Sequence, residues 1–215
     1  MTPSFSTIRK GIHWAVDPDN AMSRLVGGRE LDAYDVEFNI KRNFNMLPTY
    51  PEPNAYALVR LTPNEYPVSV TVTDKWTVML KGRAGFLGST FYYIGQAVTI
   101  LAPEVVKAGK NFEDLKNYVS NGPFILKDYV RASATTFIRN PNYWRKDPVG
   151  PGKGNQLPYL DGVKYLIIPD VSTRVAALRT SKTDSERLLS QENADSLLKT
   201  SPQLLKTAIV KGGWH

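Results

Sequence analysis

The residues that could carry chemistry are few and widely separated in this sequence. The two histidines, His13 and His215, lie near opposite ends of the 215-residue chain, and there is no cysteine. A protein-built zinc site needs several His or Cys ligands at short spacings, so the sequence does not predict a metal site. The chain also lacks the Gly-x-Ser-x-Gly segment of serine hydrolases. We therefore expect a structural or surface role for His13, and no enzyme activity.

Paired acids and glycine-rich loops, two other common signs of active sites, have structural explanations in this chain. Asp32 and Asp35 are three residues apart at the start of an apolar-periodic segment, which is typical of an acidic helix capping box. Glu113 and Asp114 are adjacent, so on a helix their carboxylates would point in different directions. The segment 150–154 is rich in glycine but lacks the spacing of a phosphate-binding loop. We expect it to be a surface loop.

The charge balance is basic, and it raises the question of polyanionic partners. The chain carries 27 Lys and Arg against 20 Asp and Glu, a formal net charge of +7. These basic residues are scattered rather than gathered into one stripe, and no nucleic-acid-reading motif accompanies them, so no specific nucleic-acid partner is predicted. A stand-alone basic module that binds polyanions non-specifically is the second hypothesis for function. No apolar run approaches the roughly 20 residues of a membrane span.

The secondary-structure elements that would position functional residues are most clearly marked in the second half of the chain. The segment 122–123 marks a turn before a strand, and 140–142 ends a second strand just before Tyr143 and Trp144. The mostly apolar run 163–168 predicts a third strand, buried on both faces. Ser172 is a good helix N-cap, with apolar residues at helical spacing behind it.

The first half predicts a helix and a hairpin. Val36, Ile40 and Phe44 recur every four residues after Asp32, which predicts a helix with one buried stripe. The alternating, β-branched segments 68–73 and 76–80, joined by Asp74-Lys75, predict a β-hairpin. Further predicted elements are helices over 104–108, 111–119 and 192–200 and a strand over 204–210. Together these elements predict an α+β (mixed α/β) fold.

The order of these motifs resembles family 5 of the bacterial extracellular solute-binding proteins, the peptide- and nickel-binding subunits of ABC importers. The matching segments are Gly122–Leu126, Arg139–Trp144, Tyr159–Val163 and Ser172–Asp184. Four motifs in the same order and spacing are far more specific than any one of them.

The resemblance implies a partial periplasmic-binding-protein type II-like lobe that carries the small inserted subdomain of the peptide-binding family. By motif order, residues 1–120 correspond to the inserted subdomain, 121–184 to a central piece of the first lobe, and 185–215 to the start of the second lobe. Members of the family are longer, so we expect this chain to be a fragment that lacks most of the second lobe.

The function that the resemblance implies is solute binding for an ABC importer, without catalysis and without a cofactor. The implied partners are a small-molecule or peptide ligand and the ABC permease subunits, and the implied location is the periplasm or cell surface, peripheral to the membrane. An oligopeptide is the first expectation for the ligand, while nickel chelates, oligosaccharides and opines stay open. Family members close two lobes over the ligand by a hinge movement.

The resemblance also suggests which residues would touch the ligand. In the family, the segment that follows the helix at Ser172–Asp184 contacts ligand near the hinge. This points to Asp184, Ser185, Glu186 and Arg187, and Trp214 lies roughly where a second-lobe strand offers an aromatic side chain. The family usually has glycine at the end of this helix, whereas this chain has Ser181, which puts a left-handed helix cap in question. Arg174 and Arg179, on the helix itself, are expected to be structural.

Overall fold

A computed structural model describes residues 2–52, 60–110, 112, 114–187 and 189–207 of the chain. The chain divides into two compact units. The main unit consists of residues 1–129 and 135–164, and the C-terminal unit of residues 130–134 and 165–215. The division into 1–120, 121–184 and 185–215 stays a prediction.

Helices and strands are mixed along the chain, which confirms the predicted α+β class. The strands are β1 (Thr2–Thr7), β2 (Ser69–Asp74), β3 (Thr77–Gly82), β4 (Phe124–Val130), β5 (Ala134–Arg139) and β6 (Gly162–Leu166). The α-helices are α1 (Ala21–Val26), α2 (Ala33–Asn43), α3 (Leu87–Ala97), α4 (Pro103–Lys107), α5 (Val171–Arg179) and α6 (Gln191–Thr200). Two short 3-10 helices span Pro63–Glu65 and Leu115–Asn117.

The first sheet contains the predicted hairpin. Its strand order is β1-β3-β2, and both pairs are antiparallel. The Asp74 carboxylate accepts a hydrogen bond from the Trp76 backbone N–H at 2.8 Å, which closes the turn without the usual glycine. Helix α2 packs on this sheet, and the predicted stripe is confirmed because Ile40 and Phe44 are buried and Val36 packs against the same core. The other buried members of this cluster are Ala33, Leu61, Val70, Val78 and Leu80.

Helix α2 begins at the predicted capping box. The Asp32 side chain accepts hydrogen bonds from the backbone N–H groups of Tyr34 and Asp35, and the Asp35 carboxylate accepts one from the Asp32 backbone. These contacts satisfy N–H groups that have no partner inside the helix. The Asp32–Asp35 pair is therefore a structural feature, as its spacing predicts.

Asp35 also binds the side chain of Arg29. The Arg29 guanidinium donates two parallel hydrogen bonds to Asp35, at 2.6 and 2.8 Å, and two to Glu104, at 2.5 and 2.9 Å. Asp35 is buried, whereas Arg29 and Glu104 are about one-third exposed. Because Glu104 lies in the first turn of α4, one arginine joins the start of α2 to the start of α4.

Arg29 lowers the pKa of Glu104. Burial alone would raise the pKa of Glu104, but the hydrogen bonds and positive charge of Arg29 outweigh burial and hold this pKa below its ordinary value. The contacts with Asp35 and Glu104 in turn raise the pKa of Arg29. A carboxylate whose pKa is lowered by folding stabilises the protein above its unfolded pKa, and that contribution disappears as the pH falls through the folded pKa.

We therefore expect the wild-type chain to lose stability on acidification more steeply than the Glu104→Gln variant. The difference should develop as the pH falls from the ordinary glutamate pKa of 4.5 toward the lower pKa of folded Glu104. The measurement is the urea midpoint of unfolding at a series of pH values, followed by tryptophan fluorescence. Glu192→Gln, which changes an exposed glutamate, is the control and should keep the wild-type pH profile. Parallel profiles for wild type and Glu104→Gln would contradict the prediction.

The second sheet has the order β4-β5-β6 and contains the predicted turn. Asn140 is buried at this turn, where its side chain donates to the Gly122 carbonyl at 2.9 Å and accepts from the Asn142 backbone at 3.1 Å. Arg9 lies over the Trp144 ring, 5.0 Å from its centroid, which fixes the end of the turn. At β6, a Cβ on Gly162 would lie 2.7 Å from the Phe137 carbonyl oxygen, so the close strand approach requires glycine.

The prediction that residues 163–168 are buried on both faces is wrong. Strand β6 lies at one edge of its sheet and most of its side chains are exposed; Tyr165, for example, is 62% exposed. Its apolar composition suits a strand, but an apolar run does not specify which segments cover the strand. Leu166 and Ile167 are likewise exposed.

Several predicted element boundaries also need correction. Helix α5 begins at Val171 and is capped by Asp170, not Ser172; Asp170 accepts hydrogen bonds from the Thr173 backbone and hydroxyl at 2.7 Å each, which lower its pKa. Of the helix predicted over 111–119, the described residues form only the 3-10 turn Leu115–Asn117, because Tyr118 is extended and leads Val119 into the core. The helix predicted over 192–200 is confirmed as α6. Residues 204–207 form no strand, and 208–210 lie outside the described residues.

Candidate functional site

The segment expected to contact ligand follows the C-terminal end of helix α5, within the C-terminal unit. At this end Ser181 has a φ of +54°, in the left-handed region. The backbone N–H groups of Lys182 and Thr183 both point to the Ala177 carbonyl oxygen, at 2.8 and 3.3 Å. The left-handed cap of the family is thus present in this chain, although serine replaces the glycine that normally adopts it without strain.

We expect Ser181→Gly to raise the free energy of unfolding of the C-terminal unit by about 0.5–1 kcal/mol. Glycine relieves the contact of a Cβ with the backbone in the left-handed region, and the greater freedom of the unfolded glycine offsets part of that gain. Urea denaturation provides the measurement. Ser185→Gly is the control, because Ser185 has no positive φ and the substitution should be neutral or slightly destabilising. A lower stability for Ser181→Gly would mean that the serine side chain is needed at this cap.

Four of the five predicted site residues lie together directly after this cap. Asp184, Ser185 and Arg187 are exposed, whereas Glu186 is half-buried. The Glu186 carboxylate lies 3.1 Å from the Nε of Arg174 on helix α5. This contact is an ion pair rather than a directed hydrogen bond, because the buried Nε–H is not aimed at the carboxylate.

Arg174 also holds the chain at the other end of helix α5. Its Nη1 donates to the backbone carbonyl oxygens of Ile168 and Pro169, at 3.0 and 3.1 Å. The prediction that Arg174 is structural did not identify these partners. No sequence pattern indicated the pairing, since Glu186 follows Arg174 at twelve residues' distance and lies outside the helix.

The fifth predicted site residue, Trp214, lies outside the described residues, as does His215. His13 lies within the described residues. Its Nδ1 is 3.0 Å from the Gly28 carbonyl oxygen, and the residue forms a β-bridge with Glu30. Among the described residues, no group of three or more His, Cys, Asp or Glu side chains could hold a metal ion. Nor do these residues include a helix that is long and apolar enough to cross a lipid bilayer.

The main unit contains a cleft that the sequence did not predict. It has a volume of about 580 Å³, and its lining includes Asp19, Met22, Leu115, Lys127 and Tyr129. The Lys127 ammonium lies 2.7 Å from the Asp19 carboxylate, which lowers the pKa of Asp19 and raises that of Lys127. The cleft is built from three separated segments, so no local motif indicates it. Two of its charged lining residues, Asp19 and Lys127, neutralise each other in this exposed ion pair.

Comparison with protein families gives one match that covers nearly the whole chain. Residues 7–211 match the family described as "Bacterial extracellular solute-binding proteins, family 5 Middle". Among curated proteins, "Heme-binding protein A" of Haemophilus influenzae is 27% identical over 208 residues, which cover 92% of this chain and 34% of that protein. The "Probable ABC transporter-binding protein" of Deinococcus radiodurans is 28% identical over 150 residues, or 63% of this chain and 24% of that protein.

A solved structure shows the same fold. The oligopeptide-binding protein AppA from Bacillus subtilis, in complex with a nonapeptide, superimposes with a TM-score of 0.64 at 20% identity. The match covers 93% of this chain and 34% of that chain. This likeness confirms the predicted partial fold of a solute-binding protein. The chain spans between about a quarter and a third of the length of these relatives.

Proposed function

Because this chain belongs to family 5 of the bacterial extracellular solute-binding proteins, we propose that it binds an oligopeptide for an ABC importer. Members of the family are extracellular or periplasmic solute-binding components of ABC transporters, not enzymes. The single observation that carries the proposal is the family match over residues 7–211. We further propose that the chain has no catalytic step, acts in the periplasm or at the cell surface, and serves ABC permease subunits as its protein partners.

The chemistry of residues 184–187 supports a peptide as the ligand. Asp184 and Arg187 are exposed, carry opposite charges and lie three residues apart. A peptide with free ends presents an ammonium group and a carboxylate, which these two side chains complement. The structural relative AppA was solved with a nonapeptide, whereas Heme-binding protein A is named for a different ligand. Trp214 is proposed as an apolar contact for a peptide side chain.

The affinity expected of this chain is low. Solute-binding proteins of this kind bury the ligand between two lobes, with polar groups placed from each side. The chain spans 34% of the length of the peptide-binding relative, so the affinity of a whole receptor is not expected of these residues. The measurement must therefore detect weak and local binding.

A suitable experiment is an NMR titration of the ¹⁵N-labelled chain with trialanine, at concentrations up to about 10 mM. We expect the amide signals of residues 183–187 to shift, and the shifts to shrink with N-acetyl-trialanine amide, which lacks both charges. The double variant Asp184→Asn/Arg187→Gln should lose the response, while Arg179→Gln, an exposed arginine on α5, should keep it. Saturable binding of haemin or Ni²⁺ with no response to trialanine would overturn the peptide proposal.

Non-specific polyanion binding is the second candidate function. Lys10 and Lys75 lie 5.4 and 4.7 Å from the centroid of the Trp76 ring, which places two ammonium groups around one aromatic surface. This arrangement, together with the net charge of +7, supports contact with polyanions. Salt-sensitive retention on heparin that is lost in Lys10→Ala/Lys75→Ala would support this candidate. Flow-through at physiological ionic strength would remove it.

A further inference from the structure

We propose that Arg174 is a positioning residue for the ligand-contacting segment 184–187 and that it acts through Glu186. On this inference Glu186 is the anchor of the segment rather than one of its ligand contacts. The inference rests on the proposed function and refines it, because it separates the four predicted site residues into one that faces inward and three that remain exposed.

The geometry of Arg174 joins the two ends of helix α5. Its Nη1 binds the carbonyl oxygens of Ile168 and Pro169, just before the Asp170 cap, and its Nε pairs with Glu186 beyond the helix. Nη1 supplies the hydrogen bonds to the two carbonyl oxygens, while the charge spread over the same guanidinium attracts Glu186, so one side chain holds both places at once. The single ammonium of lysine is a point charge and cannot occupy both positions.

The segment has few other polar anchors. Among the described residues, none of the backbone groups of 184–187 makes a backbone–backbone hydrogen bond outside helices and strands, and the segment itself belongs to neither element. Within the part of the chain that the structure describes, these four residues form one ion pair, between Glu186 and Arg174. A segment with few backbone hydrogen bonds opens readily unless side chains hold it, so the conformation of this one depends on Glu186.

The Arg174–Glu186 ion pair is partly buried, which strengthens it relative to an ion pair at the open surface. The Arg174 and Glu186 side chains are 27% and 17% exposed, and water screens the attraction less than at the open surface. Asp184, Ser185 and Arg187 are exposed in the same segment. A Glu186 carboxylate held inward thus fixes the backbone from which these three side chains project, and a pre-ordered segment loses less conformational entropy when it binds ligand.

The test combines backbone dynamics with a double-mutant cycle. Order parameters of the backbone N–H groups of residues 184–187 are measured by ¹⁵N relaxation in wild type, Arg174→Ala, Glu186→Ala and the double variant, with Arg179→Ala as the matched control. We expect values of about 0.8 in wild type and below about 0.6 in both single variants, no further decrease in the double variant, and wild-type values for Arg179→Ala. Arg174→Lys should give intermediate values. Thermal unfolding shows whether each variant folds. Glu186→Ala removes the anchoring carboxylate and leaves the hydrogen bonds of Arg174 to Ile168 and Pro169 in place.

Two results would overturn the inference. Unchanged order parameters in Arg174→Ala would show that the arginine does not hold the segment. Lower order parameters in Arg174→Ala but not in Glu186→Ala would show that the arginine acts through Ile168 and Pro169 alone. These outcomes do not require a ligand, so they are separate from a failure of the proposed function, which would appear as a wild-type chain that does not respond to trialanine.

Trialanine binding gives the second readout. Glu186→Ala should weaken binding about fivefold and keep the preference for free over blocked peptide ends, because Asp184 and Arg187 are still present. If Glu186→Ala abolished binding as completely as Asp184→Asn/Arg187→Gln while the order parameters of 184–187 stayed at their wild-type values, Glu186 would be a direct ligand contact and the inference would be wrong.

Discussion

Replacing Arg29 by methionine is expected to lower the free energy of unfolding of the main unit by about 3 kcal/mol. The Asp35 carboxylate is 2% exposed and receives both parallel hydrogen bonds from Arg29. Methionine fills part of the arginine volume but leaves this buried charge without its cation. The expected loss lies at the lower end of the range for a broken buried pair, because Arg29 and Glu104 are partly exposed and water can replace some of the lost contacts.

Compensating substitutions test whether the lost charge pairing is the cause. In the Arg29→Met background, Asp35→Asn removes the buried charge and keeps an acceptor for the Asp32 backbone, so it should recover about half of the lost stability. The exposed Arg131→Met serves as the control and should change the stability by less than about 0.5 kcal/mol. Urea denaturation followed by tryptophan fluorescence, to which the buried Trp14 contributes, provides the measurement. An Arg29→Met chain as stable as wild type would mean that this network contributes nothing net.

The capping box shows what the sequence could and could not predict about the fold. Its two acids lie within one helical turn, so their mutual contacts follow from local spacing alone, and the structure confirms them. The contact of Asp35 with Arg29 is also near in sequence, but the same arginine reaches Glu104, which lies 75 residues away. Chain topology decides a pairing of that kind. Local patterns therefore predicted the helix but not the network that fixes its position.

Errors in the predicted elements have equally specific causes. Ser172 and Asp170 are both good N-cap residues, and the choice between them depends on which one has the extended backbone, which Asp170 adopts. The apolar run at β6 correctly predicted a strand, but an apolar composition cannot say what covers each face. At the helix end, the absence of glycine raised doubt about a left-handed cap that Ser181 nevertheless forms.

The candidate site could be predicted only as a segment. Family resemblance pointed to residues 184–187, and the structure places them directly after helix α5, with Glu186 half-buried and the other three exposed. The family resemblance did not indicate that Glu186 faces Arg174, because such a contact depends on how the chain returns along the helix. Sequence motifs of this family thus suggest where a ligand segment would lie, whereas the orientation of its side chains is a tertiary property.

Replacing Asn39 by leucine should also lower the free energy of unfolding by about 3 kcal/mol, through lost hydrogen bonds rather than lost charge. Asn39 is fully buried on helix α2. Its amide nitrogen donates to the Leu101 carbonyl oxygen at 2.8 Å, and its oxygen accepts from the Leu101 backbone N–H at 3.1 Å. The side chain thereby satisfies both backbone groups of a buried residue just before helix α4. Leucine has nearly the same size, so packing is largely kept while two buried backbone groups lose their partners.

Two further variants separate this effect from a change in shape. Asn39→Asp keeps the size and the acceptor but replaces the donor with an oxygen that faces the Leu101 carbonyl, so it should cost at least as much as leucine. The exposed Asn142→Leu should be close to neutral. Because Asn39 joins α2 to Leu101, two residues before α4, its loss should also accelerate hydrogen exchange in α4 more than in the β2–β3 hairpin. Equal acceleration in both elements would show that Asn39 stabilises the whole unit rather than this junction.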